Sequence, residues 1–170
     1  AGALAPGGEM RTLALLIALA QAAMAAPPPA LKPSARVQPA VIDEGSALLP
    51  SRRRPGVLWT INDSGGRPEL YPITAAGAGV SPSTSSYGVR VSSAANRDWE
   101  ALAMDPEGDI VIGDIGNNAN RRRDLALYFV PEPDPYKDIS AAAVRKVQLR
   151  YPDQRAFPPE ERDFDAEAMF

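Results

Sequence analysis

The sequence predicts an all-β chain built from a repeated unit of four short strands, and three observations carry that prediction. A carboxylate-led motif occurs three times: Asp43-Glu44-Gly45-Ser46-Ala47-Leu48, Asp98-Trp99-Glu100-Ala101-Leu102-Ala103-Met104 and Asp165-Ala166-Glu167-Ala168-Met169-Phe170. Between the copies lie short runs rich in Val, Ile, Leu, Trp and Tyr, bounded by the Gly, Pro, Asn and Asp that make turns. The 18 prolines among 170 residues leave little room for long helices.

In the first unit the strands open at Asp43–Leu48, followed by Gly56–Ile61, which runs into Asn62-Asp63-Ser64-Gly65. Glu69–Ile73 and the alternating stretch Tyr87–Ser92 complete it. The second unit repeats the order: Asp98–Met104, then Gly108–Gly113 ending in Asp114-Ile115-Gly116, then Leu125–Val130, then Val144–Tyr151. Asp105-Pro106-Glu107-Gly108 has the residues of a type I turn, with Pro second and Gly fourth. Glu44 to Glu100 is 56 positions and Tyr71 to Tyr128 is 57, so one period spans the unit. The step from Glu100 to Glu167 is 67, lengthened by the proline-rich loops Pro131–Pro135 and Pro152–Pro159.

A four-stranded unit at this period is the signature of a β-propeller blade, which cannot bury both its faces without neighbours. The expected blades are 41–97 and 98–164, with 165–170 as the first strand of the next. Propellers close with about four to eight blades. The expectation is therefore the N-terminal part of a longer protein.

Ahead of the repeat, Met10-Arg11, the apolar run Leu13–Ala20 and Ala23-Met24-Ala25 form the three parts of a secretory signal peptide at 10–25. Residues 1–9 read as an upstream extension and 26–40 as a proline-rich, extended leader. The apolar run is too short to span a bilayer. Export to the periplasm or medium is the expected address, with no membrane span left after cleavage.

Composition excludes whole classes of chemistry from this segment. With no His there is no imidazole base and no Ser-His-Asp triad; with no Cys there is no disulfide, thiolate nucleophile or zinc-thiolate site. A net charge of −3 and a pI near 5.0 argue against nucleic acid as a partner.

The candidate chemistry is carboxylate chemistry. Glu44, Glu100 and Glu167 open the first strand of successive blades, the strand that lines a propeller's channel. A ring of such groups would repel itself, and a hard cation such as Ca²⁺ would neutralise it. The other reading is structural, each Glu accepting hydrogen bonds from a neighbouring blade. Asp98 and Asp165 precede their glutamates by two, which on a strand places both carboxylates on one face. Asp63 and Asp114 end second strands, where they cap turns or touch a ligand. Asn117 belongs to the oxygen-rich Asp114–Asn120 loop, which lacks the spacing of an EF-hand. Arg52–Arg54 and Arg121–Arg123 read as solvated loops or, at a channel mouth, as an anion site.

Trp59-Thr60-Ile61-Asn62-Asp63-Ser64-Gly65-Gly66, Asp98–Ala103, Gly113–Asn118 and Asp165–Ala168 resemble segments of secreted bacterial six-bladed propellers of the TolB-like and phytase-like ("esterase-like phytase") class. The resemblance covers Ile42–Phe170 and departs at Glu44, which sits in Glu-Gly-Ser-Ala where relatives tend to show Glu-Ile-Ser-Gly. It implies the propeller fold, and by analogy an acidic channel site. Three functions follow as expectations. The first is a binding module with a cation or small ligand at the acidic mouth. The others are a metal-dependent hydrolase of phosphate esters or lactones, and an envelope scaffold that binds another protein.

Overall fold

The structure, a computed structural model, describes residues 33–81, 87–161 and 164–170, and among these described residues there are nine strands and no helix. All the strands lie in the unit Ser34–Phe170; the preceding unit, Ala1–Pro33, is outside the described residues except for Pro33. The expected extension, signal peptide and first part of the leader therefore lie outside the described residues.

The first sheet is an up-and-down meander of β1 (Gly45–Pro50), β2 (Val57–Asn62), β3 (Glu69–Thr74) and β4 (Val89–Ser92). The second runs β5 (Trp99–Met104), β6 (Asp109–Asp114), β7 (Ala126–Pro131) and β9 (Arg145–Gln148). The predicted strands of both units are thus present, some of them shortened. The turn before β6 forms as its residues dictate: the Asp105 carboxylate accepts from the backbone N–H groups of Gly108 and Asp109 at 2.9 and 2.8 Å. Gly108 takes φ of 95°, a conformation that residues with a side chain rarely adopt.

β8 (Ser140–Ala142) has no counterpart in the sequence reading. It leaves the second sheet's loop and pairs parallel to β4, with Arg90 opposite Ser140 and Ser92 opposite Ala142, as the fifth strand of the first sheet. The third motif also differs from expectation, since Asp165–Phe170 forms no strand. It has no ladder partner among the described residues and is held instead by side chains.

The ladders fix which residues of the two sheets are equivalent. Gly45 faces Asn62 and Trp99 faces Asp114, and each first strand then carries a bulge, at Ser46 and at Glu100 respectively. Thr60 faces Tyr71 and Ile112 faces Tyr128, so the tyrosine register of the repeat is the structural one. The glutamate register is not. Ser46, rather than Glu44, is the counterpart of Glu100, and Glu44 corresponds to Asp98.

The two sheets share one core. The first contributes Trp59, Ile61, Leu70, Val89 and Val91, and the second contributes Trp99, Leu102, Ile110, Ile112, Ala126, Tyr128 and Val130. Because side chains alternate along a strand, Trp59 and Ile61 lie on the opposite sheet face from Leu58 and Thr60, the counterparts of Ile110 and Ile112. The front of one sheet therefore packs on the back of the next. A sandwich related by a two-fold would bury equivalent faces instead.

One end of this interface is closed by charge. Glu132, 3% exposed, accepts from the Ser51 hydroxyl, from the Trp59 indole N–H at 2.9 Å and from the Arg53 backbone N–H at 3.1 Å. Arg54 pairs with Asp134, and Arg52 donates to the carbonyl of Pro106 at 3.1 Å. The Arg52–Arg54 loop thus clamps the two sheets while Arg52 and Arg53 themselves stay exposed to solvent.

Candidate metal centre

The opposite end of the interface is acidic, because of where three elements stop. β2 ends at Asn62 and delivers Asp63 to the first sheet's rim. Asp98 immediately precedes β5, and Glu100 is the bulged residue within it. A bulge bends the strand and redirects its side chain. Asp63, Asp98 and Glu100 can each offer one carboxylate oxygen with all three oxygens within 4.8 Å of one another.

Two features hold this group in place. Asn96, in the linker between the sheets, donates from Nδ2 to the carbonyls of Asn62 at 3.0 Å and Asp63 at 2.8 Å. Its Oδ1 accepts from the Trp99 N–H at 3.3 Å, so one amide ties Asp63 to the start of β5. Gly116 supplies the floor. A Cβ there would stand 2.5 Å from both Cγ and Oδ2 of Asp98 and 2.6 Å from Oε1 of Glu100, so the carboxylates fill the space of a missing side chain. The sequence gives no local sign of either role, because both depend on contacts between sheets.

The electrostatics follow from crowding. Burial, then a hydrogen bond and repulsion from Asp63, push the Asp98 carboxyl up to about 6. Glu100, 7% exposed, is pushed up to about 7 by burial and then by the charges of Asp63, Glu167 and Asp98. Among the causes, only the Arg122 guanidinium favours the charged form of Asp98.

Of the eight residues singled out in the sequence, Asp63, Asp98 and Glu100 come together, while the Asp165 carboxylate accepts from the Asn117 backbone N–H. Glu167 borders the group, sharing a hydrogen bond with Glu100 while remaining solvent-exposed. Glu44 is exposed and does not join the group; its backbone carbonyl accepts from the Asp63 N–H at 2.9 Å. Asp114, 1% exposed, is engaged elsewhere, paired with Arg122 at 2.8 Å and accepting from the Asp98 N–H at 3.1 Å. Burial raises its pKa and Arg122 opposes that rise. Asn117 is committed on both sides of its amide. Its Nδ2 donates to the Phe164 carbonyl at 2.8 Å and its Oδ1 accepts from the Arg122 N–H at 2.8 Å. It staples the third motif to the second sheet and has no amide atom turned to a ligand.

The donor set suits a hard cation. Ca²⁺ takes six to eight oxygens from carboxylates, carbonyls and water, and three carboxylates can supply up to six of them. The same charges, left uncompensated, repel one another, as the raised pKa values record.

The fold and site together define an all-β chain of two stacked sheets, the second antiparallel and the first antiparallel except for β8, with a carboxylate cluster at one end of their interface. No family model, no curated protein and no solved structure matches the chain. No helix among the described residues is long and apolar enough to cross a membrane.

Proposed function

We propose that this chain belongs to an exported β-propeller of the TolB-like or phytase-like class, acting as a binding module that holds Ca²⁺ at Asp63, Asp98 and Glu100. The convergence of three carboxylate oxygens from two sheets within 4.8 Å carries the reading. The front-to-back packing of successive sheets supports the propeller, since blades around a ring must each present the same two faces to their neighbours. Export rests on the charged, apolar and small-residue pattern of 10–25.

Calcium titration of the full chain, followed by thermal melting and calorimetry, tests the site. A ligand at 100 times its Kd adds about 2.7 kcal/mol to folding stability. That gain should appear with the unaltered chain and vanish in Asp98→Asn. An unchanged melting temperature at millimolar calcium would sink the calcium site.

A second reading has its own observation. In the cation-free cluster the Glu100 carboxyl is pushed up to about 7 by burial and by its acidic neighbours, into the range a general acid or base uses; in this reading Asp63 and Asp98 hold the cation and Glu100 is left free of it. In a metal-dependent hydrolase, the cation would polarise a phosphate ester or lactone, and Glu100 would move the proton. Turnover of such esters that disappears in Glu100→Gln would select this reading over the binding module.

A further inference from the structure

Among the cavities, one departs from the acidic character of the chain. A cavity of about 270 Å³ is lined by Arg122, Arg123, Arg150, Tyr151, Gln154 and Phe157, together with two leucines, and by no carboxylate among the described residues. In a chain of net charge −3, three guanidinium groups around a space that no described carboxylate lines are unexpected.

The three arginines are not equally committed. Arg122 belongs to the wall: it pairs with Asp114 at 2.8 Å and Asp124 at 3.3 Å, and donates to the Gly116 carbonyl at 2.8 Å. Arg123 instead lies over the Phe157 ring, its Cζ 3.8 Å from the centroid. A guanidinium held by its face keeps its N–H edge available for hydrogen bonds in its own plane. Arg150 is exposed and makes no ion pair with a described residue. Elsewhere Arg54, Arg67 and Arg97 each have a carboxylate partner. The floor is fixed as well, since Gln154 donates to the Asn120 carbonyl at 2.9 Å.

We infer that this cavity is an oxyanion site, in which Arg123 and Arg150 take the carboxylate or phosphate group of a small ligand, against a wall where Arg122 is already held by Asp114 and Asp124. Planar guanidinium groups match both oxyanions in bidentate geometry, and hydrogen bonds between charged partners are the strong ones. The cavity is near the lower end of the size range of small-molecule sites, which suits a compact anion. The inference is independent of calcium at the carboxylate cluster, so the test is run with chelator present.

The test is titration of the full chain with inorganic phosphate and, separately, acetate, followed by backbone amide chemical shifts. Saturable shifts centred on Leu149–Gln154 and Leu125 are expected with at least one anion, and the tighter one names the ligand class. Arg150→Gln and Arg123→Gln should each weaken binding about tenfold. Arg121→Gln, which removes an exposed neighbour that does not line the cavity, should leave it unchanged. Both Arg123 and Arg150 are exposed, so their loss leaves the core intact. Non-saturating shifts for both anions, or an equal loss in Arg121→Gln, overturns the inference. Unaltered binding in the Arg123→Gln, Arg150→Gln double variant does the same.

Discussion

Glu132 and Glu100 are both buried glutamates between the same two sheets, at opposite ends, and the protein treats them differently. Glu132 is surrounded by donors: a hydroxyl, an indole N–H and a backbone N–H. Its neighbour Asp134 sits beside the Arg54 guanidinium, which holds that carboxyl below its usual range. Glu100 has instead Asp63, Asp98 and Glu167 around it, and its carboxyl is driven up to about 7. A buried carboxylate that serves the fold is satisfied by donors. One left among its own kind keeps a charge that the surrounding side chains do not compensate, and its proton is held more tightly.

The comparison breaks most sharply at Glu132. Glu132→Ala strands the Trp59 indole and a backbone N–H, and should cost about 3 kcal/mol in urea unfolding. Gly116→Ala drives a methyl into the Asp98 and Glu100 carboxylates, so a loss of about 2 kcal/mol is expected, together with any calcium-induced rise in melting temperature.

Glu100→Gln should act in the opposite direction, stabilising the calcium-free chain by about 1 kcal/mol at pH 7.5. The pH dependence has a definite sign. Asp98 and Glu100 are pushed up to about 6 and about 7 in the folded chain, above the ordinary carboxyl values of 3.8 and 4.5. Their contribution to stability is full below about pH 4 and is lost as pH rises through 6 to 7. Melting between pH 4 and 8 in chelator should show that decline, and Glu100→Gln should flatten it. If the variant is destabilised as much as Glu132→Ala, the two ends are alike and the contrast fails. The smallest effect is expected at Ser46, the counterpart of Glu100. Ser46→Ala removes one hydrogen bond, from its hydroxyl to the Trp99 carbonyl at 2.7 Å, and should cost about 0.5 kcal/mol in the same assay.

Most strands were legible because their burial alternates or runs continuously along the sequence. In β4, Val89 and Val91 are buried while Arg90 and Ser92 are exposed. The register of the repeat was legible only where a ladder follows directly from it. Tyr71 and Tyr128 match in both sequence and structure, whereas matching Glu44 to Glu100 by letter misses the bulges and the unequal turns before β2 and β6. The carboxylate cluster was half legible: Asp63, Asp98 and Glu100 are visible as acids, but only the stacking of two sheets makes them neighbours. Asn96 carries no local signal, and Gly116 is visible only as the glycine of Asp114-Ile115-Gly116, with nothing to show that carboxylates fill its side-chain space. β8 escaped because Ser140-Ala141-Ala142 has no β-branched or aromatic side chain to mark it as a strand, only small residues that pair with β4 and pack Ala141 on the core.

That short strand also sets a timetable for the chain during synthesis. Ser92 at the edge of the first sheet donates from its hydroxyl to the carbonyl of Ala141, 49 positions later. At roughly 5–20 residues per second, a ribosome needs about 2–10 s to make that stretch. During those seconds the strand β4 has its outer backbone groups open, and any chaperone or neighbouring nascent chain that meets it finds an unoccupied pairing edge.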